Sequence, residues 1–141
     1  MPSFDEVQQQ LELLQQGQRC FIHTLNEDGK FSQKKALLKS LDPRLREIAL
    51  MNDKQTKEII RVASADVKGV IFGCYTPVFD KRSRKDKLDR PAYHCLSVVL
   101  DGLVVDLSFK SEEDCQLWVL TMYSRVPACK SAGLGPGSFH W

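Results

Sequence analysis

Residues Ser111 to Arg125, SEEDCQLWVLTMYSR, read as one amphipathic helix near the C-terminus with a tryptophan in its apolar stripe. Ser111 supplies a side-chain cap. Glu112, Glu113 and Asp114 put acid in the first turn, where unpaired N–H groups and the helix dipole favour anions. Cys115, Trp118, Val119 and Met122 recur at the three-to-four spacing of a buried face. A tryptophan in such a stripe reads as core rather than as a cofactor contact. Pro127 ends the helix. Before it comes a run of short strand-like segments, and many strands closed by one terminal helix match few architectures.

Those segments are set off by turn residues. Gln18 to Leu25 reads as a first strand, followed by the turn Asn26-Glu27-Asp28-Gly29. Phe31 to Leu41 is a second strand, ended by Asp42-Pro43. Arg44 to Met51 reads as a third, with Leu45, Glu47 and Ala49 alternating with Arg46, Ile48 and Leu50. Asn52-Asp53-Lys54 turns the chain into a fourth, Lys57 to Ala63, and Val67 to Thr76 is a fifth. A long polar loop runs from Pro77 to Pro91. Tyr93 to Leu100 and Leu103 to Phe109 form a hairpin around Asp101-Gly102. At the other end, Phe4, Val7, Leu11 and Leu14 share one helical face, with Ser3 and Glu6 as a capping box and Gly17 as the stop. The stripe is expected to pack on the domain, with a partner- or membrane-facing helix as the alternative.

The chain has 141 residues, one domain's worth and enough for a core without metals or disulfides. The expected division is an N-terminal helix over 1–17, a domain over 18–126 and a flexible tail over 127–141. Five cysteines, Cys20, Cys74, Cys95, Cys115 and Cys129, are scattered without a C-x-x-C pair. They read as reduced, mostly buried thiols rather than a disulfide framework or zinc site. No apolar run reaches membrane-span length, and Phe4 to Gln16 is too polar for a signal peptide. Met1-Pro2 lacks the second-position glycine of myristoylation.

Seven short antiparallel strands capped by one helix with a central tryptophan resemble the pleckstrin-homology domain, over about Leu11 to Val126. The helix pattern E-x-x-x-x-W, Glu113 to Trp118, carries the resemblance together with the preceding YHCLSVVLDGLVVDLSF. Within the family the chain is similar to lipid-binding domains of the phospholipase and plant regulator types. It is also similar to the small acylated single-domain members of apicomplexan parasites, which carry an N-terminal lipid anchor and recognise phosphatidic acid. The resemblance implies a mainly β, partly open seven-stranded barrel of two near-orthogonal antiparallel sheets, plugged at one end by the helix.

Basic residues cluster twice. Lys30, Lys34, Lys35, Lys39, Arg44 and Arg46 face the single carboxylate Asp42, while Lys81, Arg82, Arg84, Lys85, Lys87 and Arg90 are offset by three aspartates. A phosphomonoester carries up to about two charges near neutral pH, so several cations must converge on it. By resemblance, the family pocket lies at the first hairpin, with a basic residue late in strand one and others along strand two. The matching positions are His23 or Lys30, then Lys34, Lys35 and Lys39, with Arg44 or Arg46 flanking. Alternation prevents Lys34 and Lys35 from both pointing inward; Lys35 is favoured. Phe31 reads as an apolar finger beside Lys30, and Lys81, Arg82, Arg84 and Lys85 as further membrane contacts. Strand two lacks the arginine that ends the strong phosphoinositide pattern, which favours a simpler head group.

His23, His94 and His140 sit in no catalytic motif, and no phosphate loop, nucleophile elbow or zinc-protease signature is present. The expectation is therefore a non-catalytic module without cofactor or metal, cytoplasmic and peripherally membrane-associated. Its partner would be an anionic phospholipid surface, phosphatidic acid before phosphoinositide, in a role such as sensing a lipid signal in regulated secretion. The alternative is a protein-interaction module using a groove between strand five and the helix. Nucleic-acid binding is not expected, because the basic loop lacks interleaved aromatics.

Overall fold

The computed structural model describes residues 4–73 and 94–131 of the chain. An N-terminal helix α1 (Phe4–Gln16) leads into β1 (Gln18–Leu25), β2 (Phe31–Ser40), β3 (Glu47–Asn52) and β4 (Glu58–Ala63). A single 3-10 turn (Ser64–Asp66) precedes β5 (Gly69–Phe72); β6 (Cys95–Leu100) and β7 (Leu103–Phe109) follow. Helix α2 (Glu112–Arg125) and a short α3 (Pro127–Ser131) close the described chain.

The strands form one continuous seven-stranded sheet in the order β4-β3-β2-β1-β7-β6-β5, every neighbouring pair antiparallel. The two halves expected as separate sheets are joined by β1 and β7, which pair from Cys20↔Phe109 to His23↔Asp106. The edges β4 and β5 are not paired to each other, so the barrel is open. The sheet nevertheless curls over a shared core. Ile60 and Val62 of β4 and Leu38 and Leu50 line the same apolar cavity as Val98, Val105, Leu107 and Met122.

Period-two alternation selects the inner face. Cys20, Ala36, Leu38, Ile48, Leu50, Val98, Val105, Leu107 and Phe109 meet Cys115, Trp118, Val119 and Met122 of α2. Ser111 caps α2 by accepting from the Asp114 N–H at 3.1 Å. The indole of Trp118, wholly buried, donates to Gln18 Oε1 at 2.7 Å, and the Gln18 amide donates to the Leu13 carbonyl at 2.8 Å. That chain of bonds ties α1 to α2. Leu11 and Leu14 are buried, so α1 is docked. It packs on β2 across Gly17, whose φ of +93° excludes most side chains. A Cβ there would lie 2.7 Å from Leu37 Cδ2.

Two expected boundaries shift. The third strand starts at Glu47, not Arg44, because Leu45 turns left-handed with φ +58° and buries its side chain completely. The Asp42 carboxylate holds that turn by accepting from the backbone N–H groups of Arg44 (2.8 Å), Arg46 (3.0 Å) and Glu47 (2.8 Å). Within the strand the expected alternation is kept: Ile48 and Leu50 face the core, and Ala49 is covered on the other side. At the C-terminal end Pro127 does end α2, yet it opens α3, a position where its missing N–H costs nothing. Val126 and Cys129 are fully buried, so 127–131 is not part of a flexible tail. The ends expected for strands five and six, at Thr76 and Tyr93, lie outside the described residues, as do Cys74 and the remainder of the tail.

Candidate functional site

The β1–β2 hairpin closes with Asn26 N–H donating to the Lys30 carbonyl at 2.8 Å, and Gly29 N–H to the Asn26 carbonyl at 3.0 Å. Asp28 accepts from the Lys30 N–H, which leaves the Lys30 side chain exposed. The β3–β4 turn is built on Asn52, whose Oδ1 accepts from Thr56 N–H (2.8 Å) and Lys57 N–H (3.1 Å). Lys54 and Lys57 project from it into solvent. Pairing of Ala36 with Asn52 makes this turn run alongside the Lys34 end of β2. Lys30, Lys34, Lys54 and Lys57 thus gather at one end of the barrel.

The β6–β7 hairpin reaches the same end. Ile22 faces Leu107, and continuing that register brings Val104 level with Leu25. Its tip, Asp101-Gly102, uses a left-handed glycine (φ +73°). Leu103 and Val104 beside it are 48% and 40% exposed, an apolar step next to the lysines. The sequence reading had not singled out Lys54, Lys57, Leu103 or Val104. Their signal lies in cross-strand register rather than in sequence proximity. The same end carries Glu27, Asp28 and Asp101, which offset part of the charge; Asp53 and Glu58 are engaged by Arg19 and Arg61.

The expected cluster of six cations is divided by this geometry. Lys30 and Lys34 belong to the open end. Lys35, favoured to point inward, stands instead opposite Phe21 on the outer face, because Ala36 and Leu38 take the core face of β2 and alternation turns Lys35 away from it. Lys39, opposite Ala49, lies beside Gly17 under the end of α1. Arg44 and Arg46 occupy the β2–β3 turn, at the far end of ten-residue β2, about 30 Å from Lys30 at strand rise. Phe31 pairs with Leu25 and is partly buried. Lys81, Arg82, Arg84 and Lys85 lie outside the described residues.

His23 is not presented to solvent. It is 2% exposed and shares a 2.6 Å hydrogen bond with Ser108 Oγ. On the neighbouring strands Ser97 Oγ donates to Asp106 Oδ1 at 2.7 Å. These four buried polar side chains form a ladder on the outer face of β1, β7 and β6, and burial of this kind requires such partners.

Further along that outer face is a polar cleft of about 230 Å³, lined by Arg19, Cys20, Phe21, Lys35, Asp53 and Lys110. Arg19 is ion-paired to Asp53 and also donates to the Asp53 carbonyl at 3.2 Å. At the closed end, burial disfavours the Asp42 carboxylate, but the N–H bonds from Glu47, Arg46 and Arg44 and the Arg46 charge outweigh it. The Asp42 pKa therefore lies below its ordinary 3.8.

The interior offers little room. The apolar cavity between β4 and β6 leaves about 20 Å³, near the size of one water, and nothing polar lines it. Between β5 and α2, Tyr123 is buried and its hydroxyl donates to the Val70 carbonyl at 3.1 Å. Cys20, Cys95, Cys115 and Cys129 are buried thiols, and burial pushes Cys20 up to about 12 despite a backbone bond with Leu38. Among the described residues no group of three or more His, Cys, Asp or Glu is placed to hold a metal, and no helix is long and apolar enough to cross a membrane.

No family model and no curated protein matches the sequence. Solved structures do match. Inner membrane complex sub-compartment protein 3 of Toxoplasma gondii superposes with a TM-score of 0.55 at 17% identity, over 92% of this chain and 90% of that one. Sub-compartment protein 1 of the same organism gives 0.54 at 12% identity, over 88% and 93%. The C-terminal pleckstrin-homology domain of human pleckstrin gives 0.47 at 8%, over 79% and 88%. At such identities the likeness is one of fold. The open antiparallel sheet of seven strands with its plugging C-terminal helix is a pleckstrin-homology-like fold.

Proposed function

We propose that this chain is a non-catalytic docking module that rests its open barrel end on an anionic phospholipid surface. The observation that carries the reading is the meeting of Lys30 and Lys34 with Lys54 and Lys57, beside the exposed Leu103 and Val104. Each lysine near an anionic leaflet contributes roughly 1 kcal/mol, and the carboxylates at the same end subtract from that sum. Docking is accordingly weak and becomes stable with a second signal, such as an acyl chain or a bound partner. Four lysines and no arginine favour the compact phosphate of phosphatidic acid over an inositol phosphate gripped bidentately.

The names of the two Toxoplasma structures refer to an inner membrane complex. That agrees with a position at a membrane, and the reading extends to the cytoplasmic face and to a lipid-dependent step such as regulated secretion. A second reading, a protein-interaction module, is favoured by the carboxylates Glu27, Asp28 and Asp101, which reduce the positive charge of the open end.

Liposome co-sedimentation at matched surface charge, with phosphatidic acid, phosphatidylserine or phosphatidylinositol bisphosphate, tests the proposal. Phosphatidic acid vesicles are expected to retain the most protein. Lys34→Glu with Lys54→Glu should lower partitioning at least tenfold, and Leu103→Ser about threefold. Binding that is equal for all lipids and lost at moderate salt removes head-group preference. No binding transfers the function to a protein partner.

A further inference from the structure

We infer that the cleft on the outer face of β1, β2 and β7 is a second anion site, built for the phosphate monoester group of a soluble ligand. It is lined by three cations and one carboxylate. Arg19 and Asp53 neutralise one another through their ion pair. That leaves Lys35 and Lys110, both exposed and, among the described residues, in no ion pair. Their two charges match the roughly two negative charges of a phosphate monoester near neutral pH.

The sheet sets the spacing. Lys35 lies opposite Phe21 on β2, and Lys110 directly follows Phe109, which is paired with Cys20 from the other side of β1. Their backbones are two strand spacings apart, about 10 Å. Both ammonium groups can therefore close over a group seated on Phe21. Arg19 engages Asp53 through Nη1, and Lys35 and Lys110 act as point charges suited to a compact oxyanion. A volume of about 230 Å³ is smaller than the roughly 300–1,000 Å³ of pockets that enclose whole small molecules. It suits one charged group with the remainder of its ligand outside.

Height along the barrel favours a soluble source for the phosphate. Lys35 is four residues from the start of β2, and Arg19 pairs with Leu37, six residues from it. At strand rise these are about 13 and 20 Å from the open end. The Debye length at physiological salt is about 8 Å, so a membrane touching the open end exerts little pull there. The Arg19 side of the cleft thus stays open to solvent while the other end is docked, and Asp53, from the β3–β4 turn, closes the cleft on the side nearer the docked end.

The test is a two-dimensional amide NMR titration of the full chain with inorganic phosphate, against sodium chloride at matched ionic strength. Saturable shifts are expected at Arg19, Phe21, Lys35 and Lys110, with affinity at least fivefold lower in Lys35→Gln and in Lys110→Gln and unchanged in Arg125→Gln. All three positions are exposed, and superimposable spectra away from each substitution establish that the variants fold. Phosphatidic acid vesicles added to the phosphate-saturated protein should bind without displacing phosphate. Shifts no larger than with chloride, or an affinity untouched by Lys110→Gln, overturn the site. Displacement of phosphate by the vesicles overturns the soluble source and assigns the cleft to a lipid head group.

Discussion

Asp42 shows how much one side chain decides. Its carboxylate accepts three backbone N–H groups across a turn that places Leu45 in the core. Replacing it with alanine removes a cap of the kind worth about 1–2 kcal/mol. The same bonds, with the Arg46 charge, overcome burial and hold the Asp42 pKa below 3.8 in the folded state. A depressed carboxylate contributes stability that is present above its unfolded pKa and lost as pH falls through the folded one. Urea titrations should therefore find wild type more stable than Asp42→Asn at pH 7, with the gap closing below about pH 4. A gap that widens on acidification contradicts the assignment. Nothing in the composition of Asp42-Pro43-Arg44-Leu45 announces a left-handed leucine, which is why an alternating pattern there read as strand. Trp118 was legible as a core residue from helical spacing, but its partner Gln18 lies a hundred positions away and leaves no local signal.

At the scale of elements, β1, β7 and the cap of α2 follow from alternation, turn glycines and Ser111, because each of those signals is local. The candidate site was less legible. Lys30 to Arg46 look like one basic cluster in sequence, yet a strand separates neighbours by about 3.3 Å each and spreads them from one end of β2 to the other. Only the pairing of β2 with β3 reveals that Lys54 and Lys57 join Lys34. The docking of α1 depends likewise on a single junction. Gly17 combines φ +93° with a clash between any added Cβ and Leu37. Gly17→Ala is expected to cost more than about 1 kcal/mol, since neither backbone nor neighbour accommodates it. Hydrogen exchange should then quicken in α1 first. Uniform loss of protection across the sheet contradicts a junction role.

For the whole molecule, the sheet's topology gives the barrel two unlike ends. Lys30, Lys34, Lys54 and Lys57 stand beside Leu103 and Val104 at one, while Glu112, Glu113 and Asp114 open α2 at the other. Eight-residue β1 separates them by about 25 Å. A charge arrangement of that kind orients a protein before it docks. The core between the ends is packed and apolar, which directs attention to the surface rather than to an internal pocket. Orientation on the membrane is accordingly the central claim. Its most direct measurement is paramagnetic relaxation in amide NMR spectra from spin-labelled lipid in phosphatidic acid bilayers. The account predicts strongest broadening at residues 28–34, 54–57 and 101–104, and none at 111–131. Broadening that is strongest at 111–131, or spread evenly over the chain, would contradict it.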